Sequence, residues 1–218
     1  MRSNEIEIYK TQLRLSPEQG EVLIGILLGD ATLETQNKGR TYRIKIEHGL
    51  AQRAYTEHLY NIFRHWVTSP PRLRRLVSPK GREYVNIVFS TLSHASLRFY
   101  AQQFYKSGKR GVPKLIGRWL TARVLAYWFM DDGSIKSRQS KGVILNTQGY
   151  QMRDVFRLIK ALQYRFELDA KPRKQPEGYQ IYISGKSYER FKGLVSPYML
   201  PEMMYKIPEA RRTHLPKV

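Results

Sequence analysis

Two runs of the chain are apolar on every side and finish in aspartate. They are LIGILLGDATL (23–33) and LAYWFMDDGSI (125–135). A helix that is apolar all round is buried on all sides. Outside these runs the pattern changes period. TYRIKIEH (41–48) alternates Tyr42, Ile44 and Ile46 with Arg43, Lys45 and Glu47, which predicts a half-buried strand. Residues 52–67 place Tyr55, Leu59, Ile62, Phe63 and Trp66 at helical spacing, and Pro70-Pro71 ends the run. PRLRRLV, the turn SPKG and REYVNIVFS predict a hairpin, and a helix is expected over 93–105.

The same order returns after the second run. GVILNTQ (142–148) reads as a strand. Residues 150–166 read as a helix with Met152, Val155, Phe156, Ile159 and Phe166 on one face. DAKPRKQ, the turn PEG and YQIYIS predict a hairpin, and a last helix covers 187–195. Aligned from their leading leucines, both runs have an aspartate at the eighth position, Asp30 and Asp132. The chain therefore reads as a duplication, with halves at 1–113 and 114–218. Each half runs helix, two strands, helix, two strands, helix. The expected class is α+β, with helices on one face of an antiparallel sheet and a polar face left free. Pseudo-twofold symmetry matches the twofold geometry of duplex DNA.

Charge strengthens that reading. Lys and Arg number 38 against 18 Asp and Glu, a net charge of +20. A chain this basic points to nucleic acid, and the cations are spread along it rather than gathered in tails. The absence of cysteine excludes disulfides and thiolate metal sites. No apolar run is long enough to span a bilayer, and the first residues resemble neither a secretory signal nor a transit peptide. The expectation is a monomer with no membrane partner.

Gly25 and Gly29 share a helix face and permit close packing of the first apolar helix on the second, with Ala126 as the facing small residue. Asp30 and Asp132 then meet at the helix C-termini, where negative charge opposes the macrodipole. Two such carboxylates repel unless a cation lies between them. A divalent ion held by carboxylate and carbonyl oxygens supplies it, and beside DNA that arrangement suggests phosphodiester hydrolysis at one site per strand. A buried salt bridge to Arg or Lys is the competing explanation.

The paired runs, with VILNTQ (143–148), MMYKIP (203–208), SPP (69–71) and the TYR…E stretch after the first run, resemble the LAGLIDADG homing endonucleases in their single-chain, two-motif, I-SceI-like branch. The resemblance covers nearly the whole chain. It implies two αββαββα halves with saddle-shaped antiparallel sheets over the DNA major groove, and two packed LAGLIDADG helices. It implies sequence-specific double-strand cleavage of a long site, leaving 3′ overhangs, with Mg²⁺ as cofactor and Mn²⁺ or Ca²⁺ able to occupy the sites. By carry-over, Asp30 and Asp132 are metal ligands, joined by the carbonyls of Gly29 and Asp131; the Asp131 carboxylate is a structural residue. The basic residue near the end of each half stabilises charge on phosphate. This is Lys206 in the second half, while Lys109 and Arg110 compete in the first. Arginine cannot act as a base, so unequal sites are expected unless Lys109 serves. Glu47 and Gln148, at similar offsets from the two aspartates, look like paired residues of the water or metal shell, with a solvated strand charge as the alternative for Glu47.

Strand alternation nominates a reading face: Thr32, Glu34, Gln36, Arg40, Arg43, Lys45, Arg72, Arg74, Arg82, Tyr84 and Asn86 in the first half. Lys136, Arg138, Lys171, Arg173, Gln175, Gln180 and Tyr182 are the second-half set. Arg and Gln can pair with base edges in the major groove, and part of the set is expected to touch only phosphates. His48, His58, His65, His94 and His214 show no ligand spacing and are read as surface or core residues. Two other functions remain open on the same fold: an intron maturase, with intron RNA as partner, and a DNA-binding regulator without catalysis. The family implies an intron- or intein-type element, most often in a chloroplast or mitochondrion and translated there.

Overall fold

The structure, a computed structural model, describes residues 3–208. His214 lies outside them. The first half contains α1 (Ser3–Gln12), α2 (Pro17–Leu28), β1 (Thr32–Glu34), β2 (Arg43–Gly49), α3 (Arg53–Ile62), β3 (Arg72–Val77), β4 (Glu83–Ser90) and α4 (Leu97–Phe104). A short hairpin, β5 (Tyr105–Lys106) and β6 (Lys109–Arg110), and α5 (Ile116–Trp119) lead to the second half. There follow α6 (Ala122–Asp132), β7 (Gly133–Ile135), β8 (Val143–Leu145), α7 (Met152–Phe166), β9 (Ala170–Gln175), β10 (Gly178–Ile183) and α8 (Tyr188–Val195). Two 3₁₀ segments, Ser196–Tyr198 and Pro201–Lys206, complete it.

The two sheets have the same order, β1-β2-β4-β3 and β7-β8-β10-β9, with every neighbouring pair antiparallel. Helices cover one face of each sheet, giving the expected α+β class. In β2 the alternation is as read, with Ile44, Ile46 and His48 buried beneath Arg43, Lys45 and Glu47.

The two apolar helices α2 and α6 pack on each other at the centre. Helix α2 starts with a capping box, Ser16 with Gln19, and Pro17 in its first turn. The box satisfies amides that lack intrahelical partners, and proline has no N–H to satisfy. Helix α6 starts at Thr121, whose side chain accepts from the Val124 amide. A Cβ on Gly25 would stand 2.7 Å from the Cβ of Tyr127 and 2.8 Å from the Val124 carbonyl. Glycine is thus what lets the backbones touch, and its nearest neighbours are these residues rather than Ala126. Arg123 on α6 pairs with Glu21 at 3.1 Å and with Glu18 at 3.5 Å on α2, reinforcing the seam from outside.

Several boundaries differ from the sequence reading. Helix α1 is an element that reading does not contain. The helix expected to Val67 ends at Ile62 and tightens into a 3₁₀ turn over Arg64–Trp66. The helix expected from Ser93 begins at Leu97, because the His94 backbone pairs with that of Tyr42. Strands β1 and β7 are short, so Gln36, Lys136 and Arg138 lie on loops beyond them. On α7 the buried face is Val155, Leu158, Ile159 and Leu162, while Met152 and Phe156 are exposed.

Candidate active site and DNA-reading faces

The packing of α2 on α6 brings Asp30 and Asp132 to one cleft of about 230 Å³, lined also by Gly29, Arg110, Asn146 and Tyr150. Asp30 is largely exposed there, its side chain 45% accessible. Asp132 is more buried, and burial followed by the charge of Asp30 pushes its carboxyl up to about 7. Two acids in one shielded cleft disfavour each other's ionisation.

Behind the cleft, Asp131 faces Gly29 across the seam. Its Oδ2 accepts from the Asp30 amide at 3.0 Å. A Cβ at position 29 would overlap that carboxylate. Burial, then the charge of Asp30, raises the Asp131 carboxyl well above the usual range. His48 completes this layer. Its Nε2 lies 3.9 Å from both Asp30 Oδ2 and Asp131 Oδ1, and its Nδ1 is 2.9 Å from Thr56 Oγ1. Burial holds the imidazole below its ordinary pKa. Reading the histidines as filler missed this one. Asp30, His48 and Asp131 each bring one ligand-type atom within 4.8 Å of the others.

Cationic side chains close the ends of the two helices. Arg110 donates to the carbonyls of Leu27, Gly29 (2.5 Å) and Ala31 (3.0 Å). Lys206, itself buried, donates to those of Met130 (2.5 Å) and Asp131 (3.0 Å). Burial lowers the Lys206 amine. Each cation neutralises the negative end of a helix dipole, and the two do so at matching turns. Lys109 is exposed on the β5–β6 hairpin and lines a different cavity. The carbonyls of Gly29 and Asp131, expected as metal ligands, accept from Arg110 and Lys206.

Glu47 does not face Asp30. It points to the opposite sheet face, paired with Arg74 at 3.0 Å and Lys45 at 3.2 Å, and it accepts from Asn86 at 3.1 Å. Burial raises its carboxyl, but these donors outweigh that and hold it low. Gln148 does not line the cleft; Asn146 and Tyr150 do. The Tyr150 hydroxyl donates to the Leu28 carbonyl at 2.8 Å. Tyr150 and His48 stand at the same offset from their motif aspartates, the one signal in the sequence that could have found both.

Cross-strand partners share a face. The registers Thr32↔Lys45, Glu34↔Arg43, Arg72↔Val88 and Arg74↔Asn86 set Thr32, Glu34, Arg43, Lys45, Arg72, Arg74, Tyr84 and Asn86 on one side of the first sheet. Gln180↔Arg173 and Tyr182↔Lys171 do the same in the second sheet. Arg82 precedes β4 in the hairpin turn, and Arg40 lies in the exposed loop before β2. Much of the first face is internally paired, with Arg43 to Glu34 at 2.8 Å and Lys45 between Glu34 and Glu47. On the second, Lys136 sits over the Tyr182 ring and Gln180 donates to Asn146.

A domain of this kind, with two four-stranded antiparallel sheets and a shared cleft holding two aspartates at the seam, has known counterparts. Residues 20–191 match the model of the LAGLIDADG DNA endonuclease family. The chain is 34% identical over 211 residues to a probable intron-encoded endonuclease 1 of Wickerhamomyces canadensis, covering 94% of this chain and 90% of that one. It is 27% identical over 198 residues to the cytochrome b mRNA maturase bI2 of Debaryomyces hansenii, covering 88% and 74%. The fold superposes with a TM-score of 0.90 on the homing endonuclease I-WcaI bound to its DNA recognition sequence, at 32% identity and 96% and 95% coverage. The chain belongs to the LAGLIDADG DNA endonuclease family. It is a DNA endonuclease, a hydrolase of phosphodiester bonds.

Proposed function

We propose that the protein is a homing endonuclease that makes a sequence-specific double-strand break in a long DNA site, leaving 3′ overhangs. The observation that carries this is the convergence of Asp30 and Asp132 in one cleft at the ends of two packed helices, each of which leads into one of the two sheets. The halves divide at 113/114, and one chain carries both active centres, so it acts as a monomer.

The oxygen-only donor set of the cleft fits a hard divalent cation such as Mg²⁺. The helix-end carbonyls already draw in Arg110 and Lys206, in keeping with a local preference for positive charge. Asp30 and Asp132 would hold the ion, with the Gly29 and Asp131 carbonyls beside them. When bound, such an ion neutralises phosphate charge and acidifies its water. The chain's own residues do the rest. Arg110 and Lys206 stabilise charge developing on the phosphate oxygens. Arg110 stays protonated, whereas the depressed Lys206 amine can exchange a proton, so the two centres are unequal. The reading-face cations position the duplex and pair with base edges.

A plasmid library of genomic or random inserts, incubated with Mg²⁺ or with EDTA, tests the reading. Linear product with a fixed cut site is expected only with Mg²⁺. No metal-dependent double-strand cutting across a deep library would refute it. The maturase relative favours one second reading, in which the same chain also assists splicing of its intron RNA. Expression inside an organelle accompanies either role.

A further inference from the structure

A second cavity of about 230 Å³ opens beside the active cleft, between the β5–β6 hairpin and the start of α7. Arg110 lines both. Lys106, Lys109, Lys114, Arg153 and Arg157 surround it, against a single carboxylate, Asp154. That carboxylate is engaged by Arg157, at 2.6 Å, and by the Val112 amide. Among the described residues, the other four cations form no ion pair. On the sheet faces, Arg43, Lys45 and Arg74 are paired, while Arg72 and Arg173 are not among the ion pairs of the described residues. The α7 N-terminus, where Gln151 makes no side-chain cap hydrogen bond, borders the same space. No matching hairpin follows α8 among the described residues, where the chain passes through 3₁₀ turns to Lys206.

We propose that this groove grips the phosphodiester backbone of duplex DNA next to the cleaved bonds, anchoring the duplex on one side of the seam only. The inference rests on the reading of the protein as a DNA endonuclease. A strand whose phosphate enters the cleft carries further phosphates every ~3.4 Å along the axis. The unpaired cations line a cavity that shares Arg110 with that cleft. They touch no base, so the groove adds affinity without adding sequence preference.

The test is DNA binding by the full chain in EDTA, using a mixed-sequence duplex longer than two helical turns, across a range of salt concentrations. The triple variant K106Q/K109Q/K114Q should bind more weakly. Its slope of log affinity against log salt should shrink by up to ~2.7, about 0.9 for each phosphate that a lysine no longer neutralises. K160Q/K192Q, on helices behind the sheets, should leave the slope unchanged. An unchanged slope in the triple variant, with R72Q/R74Q still weakening binding, overturns the groove and leaves the endonuclease reading standing. If none of these variants alters DNA binding, that reading fails as well. Weaker binding of the triple variant to a folded RNA hairpin, with duplex binding intact, also overturns the proposal in favour of an RNA site.

Discussion

The Asp30 amide donates to the Asp131 carboxylate at 3.0 Å, from one half of the molecule to the other. This bond joins the end of one motif helix to the penultimate residue of the other, and it exists because position 29 has no side chain. Asp131→Ala leaves a partly buried amide without its acceptor, a loss of about 1–3 kcal/mol. Asp131→Asn keeps an acceptor oxygen and removes a buried charge, so its stability at pH 8 should equal or exceed that of the parent. Gly29→Ala forces overlap with the carboxylate and should cost about 1–3 kcal/mol. Thermal melts of the three variants check all of this.

Asp30→Asn and Asp132→Asn should each abolish or cripple double-strand cleavage in Mg²⁺ while leaving DNA binding in EDTA nearly intact. If both variants cut at the parental rate, the two aspartates are not the active carboxylates.

Stability of the metal-free protein should depend on pH with an unusual sign. Asp132 has a folded pKa of about 7, above its ordinary 3.8. The folded state therefore holds a proton that the unfolded state has released between these values, and stability falls as pH rises through that window. Asp131 is shifted in the same direction. Asp132→Asn should flatten the fall between pH 4 and 7, and Mg²⁺ should reverse it in the parent. A melting temperature that climbs over this range in EDTA contradicts the assignment.

Arg110 spans three helix-end carbonyls with one planar group, which an ammonium cannot reproduce. Arg110→Ala should slow one strand more than the other, so that nicked circles accumulate before linear product. Time courses on supercoiled plasmid separate the two steps. Equal slowing of both strands would show that Arg110 serves the two centres alike.

Glu47→Gln should retain the maximal cleavage rate while relaxing discrimination among target variants. Its carboxylate organises Lys45, Arg74 and Asn86 on the reading face, away from Asp30. Tenfold or greater loss of rate on the preferred target would return Glu47 to the water shell of the active site.

The periodicities were legible without coordinates. Strand β2 alternates as read, α2 and α6 are buried all round, and the duplicated order of elements reappears in two sheets of identical topology. Errors fell where tertiary contacts override local pattern. The helix expected from Ser93 was delayed by main-chain pairing between Tyr42 and His94. Met152 and Phe156 look inward by spacing, yet they lie on the open side of α7.

The repeat, the central helix pair and the two aspartates are readable along the chain, because they follow from periodicity and from the cost of placing carboxylates at buried helix ends. Which side chains surround them depends on how the elements pack in space. Arg110 rather than Lys109 reaches the helix carbonyls, and His48 rather than Glu47 stands by Asp30. Adjacent strand residues point to opposite faces, so a shift of one position exchanges a residue of the cleft for one of the reading face. That choice is made by how the sheets wrap the two central helices, a relation no local pattern contains.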